Sequence, residues 1–228
     1  MRIRPVILAI CCIAILGFAE PAPRLSLFDG SSLNGWQGDT KFWRVADGVI
    51  TAGSLDVKFP HNDFLVTAKS YQNFDLRAKL KLVGTEGFVN SGIQFRSIRV
   101  PNNFEMSGYQ ADAGDGYWGS LYDETRRDVT LVKPIDPAAM NAAFHNQDWN
   151  DYRVRAEGPH IELWLNGVKT VDYTEKQADI PEDGYIGLQI HGNGKTIVAF
   201  KDISIEELPP TPGAPTWAQI GGYHPRHK

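Results

Sequence analysis

Residues 112–127 read DAGDGYWGSLYDETRR. Asp112, Asp115, Trp118, Tyr122, Asp123, Glu124, Arg126 and Arg127 fall within these sixteen positions. Carboxylates can carry protons, aromatic faces can stack on a ring, and guanidinium groups can hold an oxyanion. The plain alternative is a charged hairpin whose acids and arginines neutralise each other.

Strand parity supplies a second set. In NSGIQFRS (90–97), Ser91, Ile93 and Phe95 share one face, and Gly92, Gln94 and Arg96 share the other. In GYQADA (108–113), Tyr109 and Ala111 oppose Gln110 and Asp112. In GYIGLQIH (184–191), Ile186, Leu188 and Ile190 oppose Gly187, Gln189 and His191. A merely wet sheet face carries residues such as Arg77, Lys79 and Lys81. Glycine interleaved with amides and charges instead leaves room for a ligand and offers directional hydrogen bonds, the equipment that binds sugars. A covered face with internally satisfied polar groups is the alternative.

These residues need strands to position them. Period-two alternation runs through Asn73–Leu82, Asp151–Ala156 and Ile161–Leu165, the pattern of strands with one buried face. Turn dipeptides separate the runs, among them Asp47-Gly48, Asn166-Gly167 and Asp183-Gly184. About a dozen short strands between Leu25 and Leu208 predict an all-β sandwich or jelly roll. One helix is expected within Asp136–Phe144, with Pro137 in its first turn. The aromatics Trp36, Phe42 and Trp43 read as sheet packing. Residues 209–228, PPTPGAPTWAQIGGYHPRHK, read as an exposed Pro-rich C-terminal tail; metal binding by His224 and His227 is the minor reading there.

The chain has 228 residues, 42% hydrophobic and 22% charged, with net charge −4. That suits one packed domain and excludes a collagen-like or wholly disordered chain. It also excludes a nucleic-acid binder, which needs a clustered basic face. Residues 1–19 have the order of a secretory signal peptide: Arg2 and Arg4, the apolar run VILAICCIAILGF, then Gly17-Phe18-Ala19. The run is short for a membrane span, so the expected product is exported, periplasmic or secreted, with no membrane span in the mature chain. Cleavage after Ala19 removes two basic residues and no acidic one, taking the net charge to −6, and removes both cysteines, Cys11 and Cys12. The mature chain then has neither disulfide nor thiolate chemistry. A lipid anchor at Cys11 is disfavoured by the bulky Ile10.

Some motif matches fail. Gly114–Gly119 spells GxGxxG, but its flanks read as strands or a hairpin, whereas a dinucleotide site needs a helix after the string. His61, His145, His160 and His191 lack metal-ligand spacing.

The chain resembles the 3-keto-disaccharide hydrolase domain family of exported bacterial proteins. The resemblance starts at Leu27-Phe28-Asp29-Gly30 and Leu33-Asn34-Gly35-Trp36. It continues through WRVADGVI (43–50), NSGIQFRS, GYQADAGDGYWGSLYDE (108–124), WNDYRV (149–154), IELWLNGVKTVDY (161–173) and GYIGLQIHG (184–192), and ends at FKDISI (200–205). It implies a domain over 24–208 folded as a concanavalin A-like jelly-roll sandwich of two curved antiparallel sheets. It also implies one groove surrounded by Arg96, Gln110, Asp112, Tyr122, Glu124 and His191. The paired carboxylates of laminarinase-type glycosidases, spaced ExDxxE, do not occur. A 3-keto sugar has an acidified C2–H, so removal of that proton, loss of the C1 oxygen and hydration would cleave the glycoside; direct acid/base hydrolysis is the alternative.

On that reading Glu124 or His191 is the base, and Arg96 or Arg126 holds the enolate oxygen. Gln94, Gln110 and Asp112 bind hydroxyls, and Trp118 or Tyr122 stacks on a ring or protonates the leaving oxygen. The sequence identifies no certain cofactor; a divalent cation could replace the arginine, with Asp112 and Glu124 as ligands. The expected partners are a carbohydrate substrate and an upstream sugar 3-dehydrogenase. The competing expectation is a non-catalytic carbohydrate-binding module, since the same fold serves both.

Overall fold

A computed structural model describes residues 23–224. The signal segment 1–19, with Cys11 and Cys12, and His227 lie outside the described residues. The elements, numbered along the chain, are β1 (Leu25–Ser26), β2 (Trp36–Gln37), β3 (Arg44–Ala46), β4 (Val49–Ser54), β5 (Asp63–Tyr71), β6 (Phe74–Gly87), β7 (Asn90–Arg99), β8 (Met106–Gly114), β9 (Leu121–Glu124), β10 (Val129–Val132), α1 (Pro137–Ala143), β11 (Trp149–Glu157), β12 (His160–Leu165), β13 (Val168–Thr174), β14 (Gly184–Ile190) and β15 (Gly194–Glu207).

Two antiparallel sheets hold all the strands. One runs β13-β12-β11-β6-β15-β4-β3, with β1 also paired to β15. The other runs β10-β9-β8-β7-β14-β5-β2. Alternation decides what faces inward. In β6, Phe74, Leu76, Ala78, Leu80 and Leu82 are buried, while Arg77 is exposed between them. Tyr152, Val154 and Ala156 of β11 and Ile161, Leu163 and Leu165 of β12 join them. From the seven-stranded sheet come Ile93, Phe95, Tyr109, Ala111, Leu121, Ile186, Leu188 and Ile190, and together these form one core. Trp36 and Trp43 are buried in it and Phe42 packs against it.

The helix is the expected one. Asp136 is its N-cap, accepting from the Ala139 N–H at 2.9 Å, and Pro137 stands in its first turn. Asn166 and Gly167 both have positive φ, 48° and 82°, joining β12 to β13 as a tight hairpin.

The C-terminal segment departs from expectation. Residues 209–224 do not hang free; Ala214 and Trp217 are buried. The Trp217 indole N–H donates to the Arg96 carbonyl at 3.1 Å, its backbone N–H donates to Asp183 Oδ1, and Asn73 donates to the Pro209 carbonyl. The prolines lower the entropy lost on docking, and the indole supplies the apolar surface that holds the segment down. His224 Nε2 contacts the Ile220 carbonyl. No helix among the described residues is long and apolar enough to cross a membrane.

Candidate functional site

The outer face of the seven-stranded sheet carries a groove of about 330 Å³. Five of the residues expected there line it: Gln110 and Asp112 from β8, Tyr122 and Glu124 from β9, and His191 just after β14. Beneath them lies a layer of buried glutamines. Gln94 Nε2 donates to Gln110 Oε1 at 2.6 Å, and Gln110 Nε2 donates to Gln189 Oε1 at 3.2 Å and to Asp112 Oδ1 at 3.3 Å. Gln189 Nε2 reaches Glu124 Oε2 at 3.4 Å. Gln94 is wholly buried and holds Gln110 in place, so its expected contact with substrate is corrected to a supporting role. The glycines also differ from expectation. A Cβ on Gly92 would meet the Gln110 side chain at 2.7 Å, and one on Gly187 would meet Met106 Sδ at 2.7 Å. The space they leave is filled by neighbouring side chains rather than left for a ligand.

Three expected site residues lie elsewhere. Arg96 has φ 48°, in a bulge where the pairing of β7 with β8 slips between Phe95 and Ile98. The bulge breaks the alternation that would have aimed it at the groove. Its guanidinium is buried at the end of the sandwich, donating to the carbonyls of Gln72 and Gly158 and to Asn73 Oδ1 at 2.6–2.9 Å. Arg126 leaves the turn after β9 toward the other side of the sheet, where its Nε donates to Asp123 Oδ1 at 3.0 Å and its guanidinium lies 4.3 Å from the centre of the Tyr109 ring. Trp118 sits in the β8–β9 turn, where no parity applies. It packs on Phe144 and stacks on Tyr152, at ring-centre distances of 4.7 and 6.3 Å.

Other residues complete the groove: Asn62, Phe88, Asn90, Glu105, Tyr117 and Asp128. Asn90 shares parity with Gly92 and Gln94, a legible signal that the sorting of 91–96 passed over. Glu105 has the wrong parity for β8 but precedes its first residue, so the strand does not aim it. Asn62 ties two walls together. Its Nδ2 donates to both Glu105 oxygens at 2.9 and 3.1 Å, and its Oδ1 accepts from the Gly192 N–H at 2.9 Å.

Burial pushes the Glu124 carboxyl up to about 8, helped by the nearby carboxyls of Glu105, Asp112 and Asp128 and opposed by the Gln189 bond. Burial also raises Asp112, to about 6, against hydrogen bonds from Asn90, Gln110 and the Ala113 N–H. Tyr122 is raised by burial and by its bond to Asp128, to which it donates at 2.7 Å. His191 Nδ1 lies 2.8 Å from the Gly192 carbonyl. A carbonyl only accepts, so Nδ1 carries the hydrogen and the lone pair of the neutral ring is on Nε2. Phe88 sits edge-on to this ring at 4.5 Å.

The site is pinned from the opposite sheet. The buried Tyr152 hydroxyl donates to the Asp112 carbonyl at 2.5 Å and accepts from the Gly119 N–H at 3.0 Å. As for cations, the described residues bring three ligand atoms within 4.8 Å of one another only in His160, Glu162 and Asp172, where Lys169 already bonds both acids. Asp112 and Glu124 belong to no such group. A larger depression, about 630 Å³, crosses the outer face of the other sheet. Its charges are paired, as Arg153 with the buried Asp75 and Lys79 with Asp202.

Residues 24–206 match the family described as the 3-keto-alpha-glucoside-1,2-lyase-like domain. Among solved structures, a candidate glycosyl hydrolase from Parabacteroides distasonis is 22% identical, with a TM-score of 0.61 over 82% of this chain and 94% of that one. The carbohydrate-binding module CBM66 from Bacillus subtilis is 15% identical, with a TM-score of 0.57 over 78% and 98%. The beta-glucanase of Bacillus licheniformis is 10% identical, with a TM-score of 0.54 over 84% and 100%. These likenesses establish the jelly-roll fold. Among curated proteins none matches the chain.

Proposed function

The chain belongs to the 3-keto-alpha-glucoside-1,2-lyase-like family, and from that premise we propose that it is an exported enzyme cleaving 3-keto-disaccharides or 3-keto-glucosides by elimination and hydration. The observation that carries the reading is the pair at the groove: Glu124, a carboxyl raised to about 8, and His191, whose Nε2 holds a lone pair. Groups whose environments separate an acid from a base at neutral pH suit proton transfer in both directions.

His191 Nε2 takes the C2 proton, made acidic by the C3 carbonyl. The electron pair forms an enolate, then expels the C1 oxygen, which takes the Glu124 proton as it leaves. In the second half the Glu124 carboxylate accepts a proton from water as the water oxygen bonds C1 of the enone, and the His191 imidazolium returns a proton to C2. The sum is hydrolysis with both residues restored. With Arg96 and Arg126 outside the groove, the oxyanion's donors are to be sought among its amides and phenols. Asn90, Gln110, Tyr117 and Tyr122 line it. The keto group itself must be installed beforehand by an oxidoreductase acting at C3 of the sugar.

The competing reading, a non-catalytic carbohydrate-binding module, draws on the fold shared with CBM66. The test is turnover of 3-keto-trehalose beside trehalose, with and without chelator, following release of 3-ketoglucose. Conversion of the keto sugar alone, with solvent deuterium entering C2 in heavy water, supports the enzyme. Binding without turnover across several keto sugars supports the module.

A further inference from the structure

We infer that the groove is a charge filter, accepting glycosides whose leaving sugar is uncharged or cationic and rejecting those whose leaving sugar bears a carboxylate, phosphate or sulfate. The inference rests on the groove being the substrate site and names the substrate class it takes. Four acidic side chains, Glu105, Asp112, Glu124 and Asp128, line one space of about 330 Å³, and among the described residues no lysine or arginine lines it.

Sites for anionic sugars present guanidinium or ammonium groups, because a carboxylate or phosphate taken from water needs a charged donor in return. The arginines in the strings around this groove are engaged elsewhere. Arg96 serves the carbonyls at the sandwich end, Arg126 and Arg127 serve Asp123, and Arg99 donates to the carbonyls of Gln37 and Phe64. An anion entering the groove would meet the carboxylates of Glu105, Asp112 and Asp128, Glu124 holding its proton at neutral pH, and in a partly desolvated cleft that repulsion is felt across several ångströms. An ammonium group would meet attraction at the same positions. The groove also carries an aromatic face: Phe88 is 42% exposed and stands edge-on to both His191 and Tyr117. That surface suits the C–H face of a neutral ring.

The experiment compares three 3-keto-disaccharides that differ only in the leaving sugar: glucose, glucuronate and glucosamine. kcat/KM is measured on the purified protein at neutral pH, at about 20 mM and about 500 mM salt, on either side of physiological screening. The glucuronate compound should fall about tenfold or more below the glucose compound at low salt, with a smaller gap at high salt. The glucosamine compound should equal or exceed glucose. Asp128→Asn should narrow the gap between glucuronate and glucose. Equal kcat/KM for glucuronate and glucose at both salt concentrations overturns the filter. If none of the three is turned over, the catalytic reading fails instead, and calorimetric binding of the same compounds still decides: discrimination against glucuronate keeps the filter, equal affinity removes it.

Discussion

Asp123 and Glu124 are consecutive in β9 and so point to opposite faces of the sheet. On the inner side, Asp123 is wholly buried and receives Arg126 and Arg127. Arg127 also pairs with Glu175 at 2.7 Å, and the Tyr109 hydroxyl donates to the same carboxylate at 2.6 Å. Burial works against ionisation of Glu175, but the bonds from Arg127 and Tyr109 prevail and hold its carboxyl down at about 2. On the outer side, Glu124 has other carboxyls and an amide for neighbours, and stands at about 8. One short segment thus builds a satisfied ion network and, one residue on, a carboxyl that its surroundings keep from ionising. The first arrangement serves the fold. The second costs stability at high pH, as expected of the proton donor proposed for it.

The largest expected effect separates these two roles. Glu124→Gln should lower kcat by about 10²- to 10⁴-fold and yet raise stability. The sign follows from the proton balance. A folded-state carboxyl near 8 holds a proton that the unfolded chain releases near 4.5, so its contribution is full in acid and is lost as pH rises toward and through 8. The gain from glutamine, about 1–2 kcal/mol after allowance for partial exposure, should therefore be greatest above pH 8 and absent in acid, read as Tm against pH. If wild type and variant titrate alike, the raised carboxyl is wrong.

Glu175→Gln should do the reverse, costing roughly 3 kcal/mol at neutral pH with kcat of the folded fraction unchanged. That cost belongs above pH 4.5 and should shrink as the pH falls from 4.5 toward 2, where the wild-type carboxyl also takes up its proton. Urea unfolding midpoints across that range check it. Tyr152→Phe, which removes the hydroxyl that pins the β8–β9 turn but leaves the Gly119 N–H bonded to the Asp112 carbonyl at 3.2 Å, should cost about 0.5–1.5 kcal/mol. Denaturant titration at one pH suffices.

The same contrast explains what could be read in the sequence. Where a strand runs regularly, parity is sufficient: Gln110, Asp112, Gln189 and the core residues opposite them fall where alternation puts them. Arg96 escaped because a bulge is invisible to parity, and its φ of 48° re-aims the side chain. Trp118 and Arg126 escaped because they sit in turns, where direction depends on tertiary contacts. Glu105 and Asn62 join the groove from positions just before strands, through a pairing across 43 residues of chain. The alternative in which acids and arginines of 112–127 neutralise each other describes Asp123, Arg126 and Arg127, while Asp112, Tyr122 and Glu124 of the same segment line the groove.

The strand order has a bearing on the chain's history before it folds. An interior position of each sheet is filled by a late strand: β14 lies between β5 and β7, and β15 lies between β4 and β6 and also pairs with β1. A nascent chain emerging from the ribosome can form local hairpins such as β12–β13, but the seven-stranded sheet cannot close until Ile190 has been made, and the other not until Glu207. Such high contact order delays collapse into the native topology. Under the proposed export, that delay would keep the chain threadable through a translocation channel until its last strands arrive.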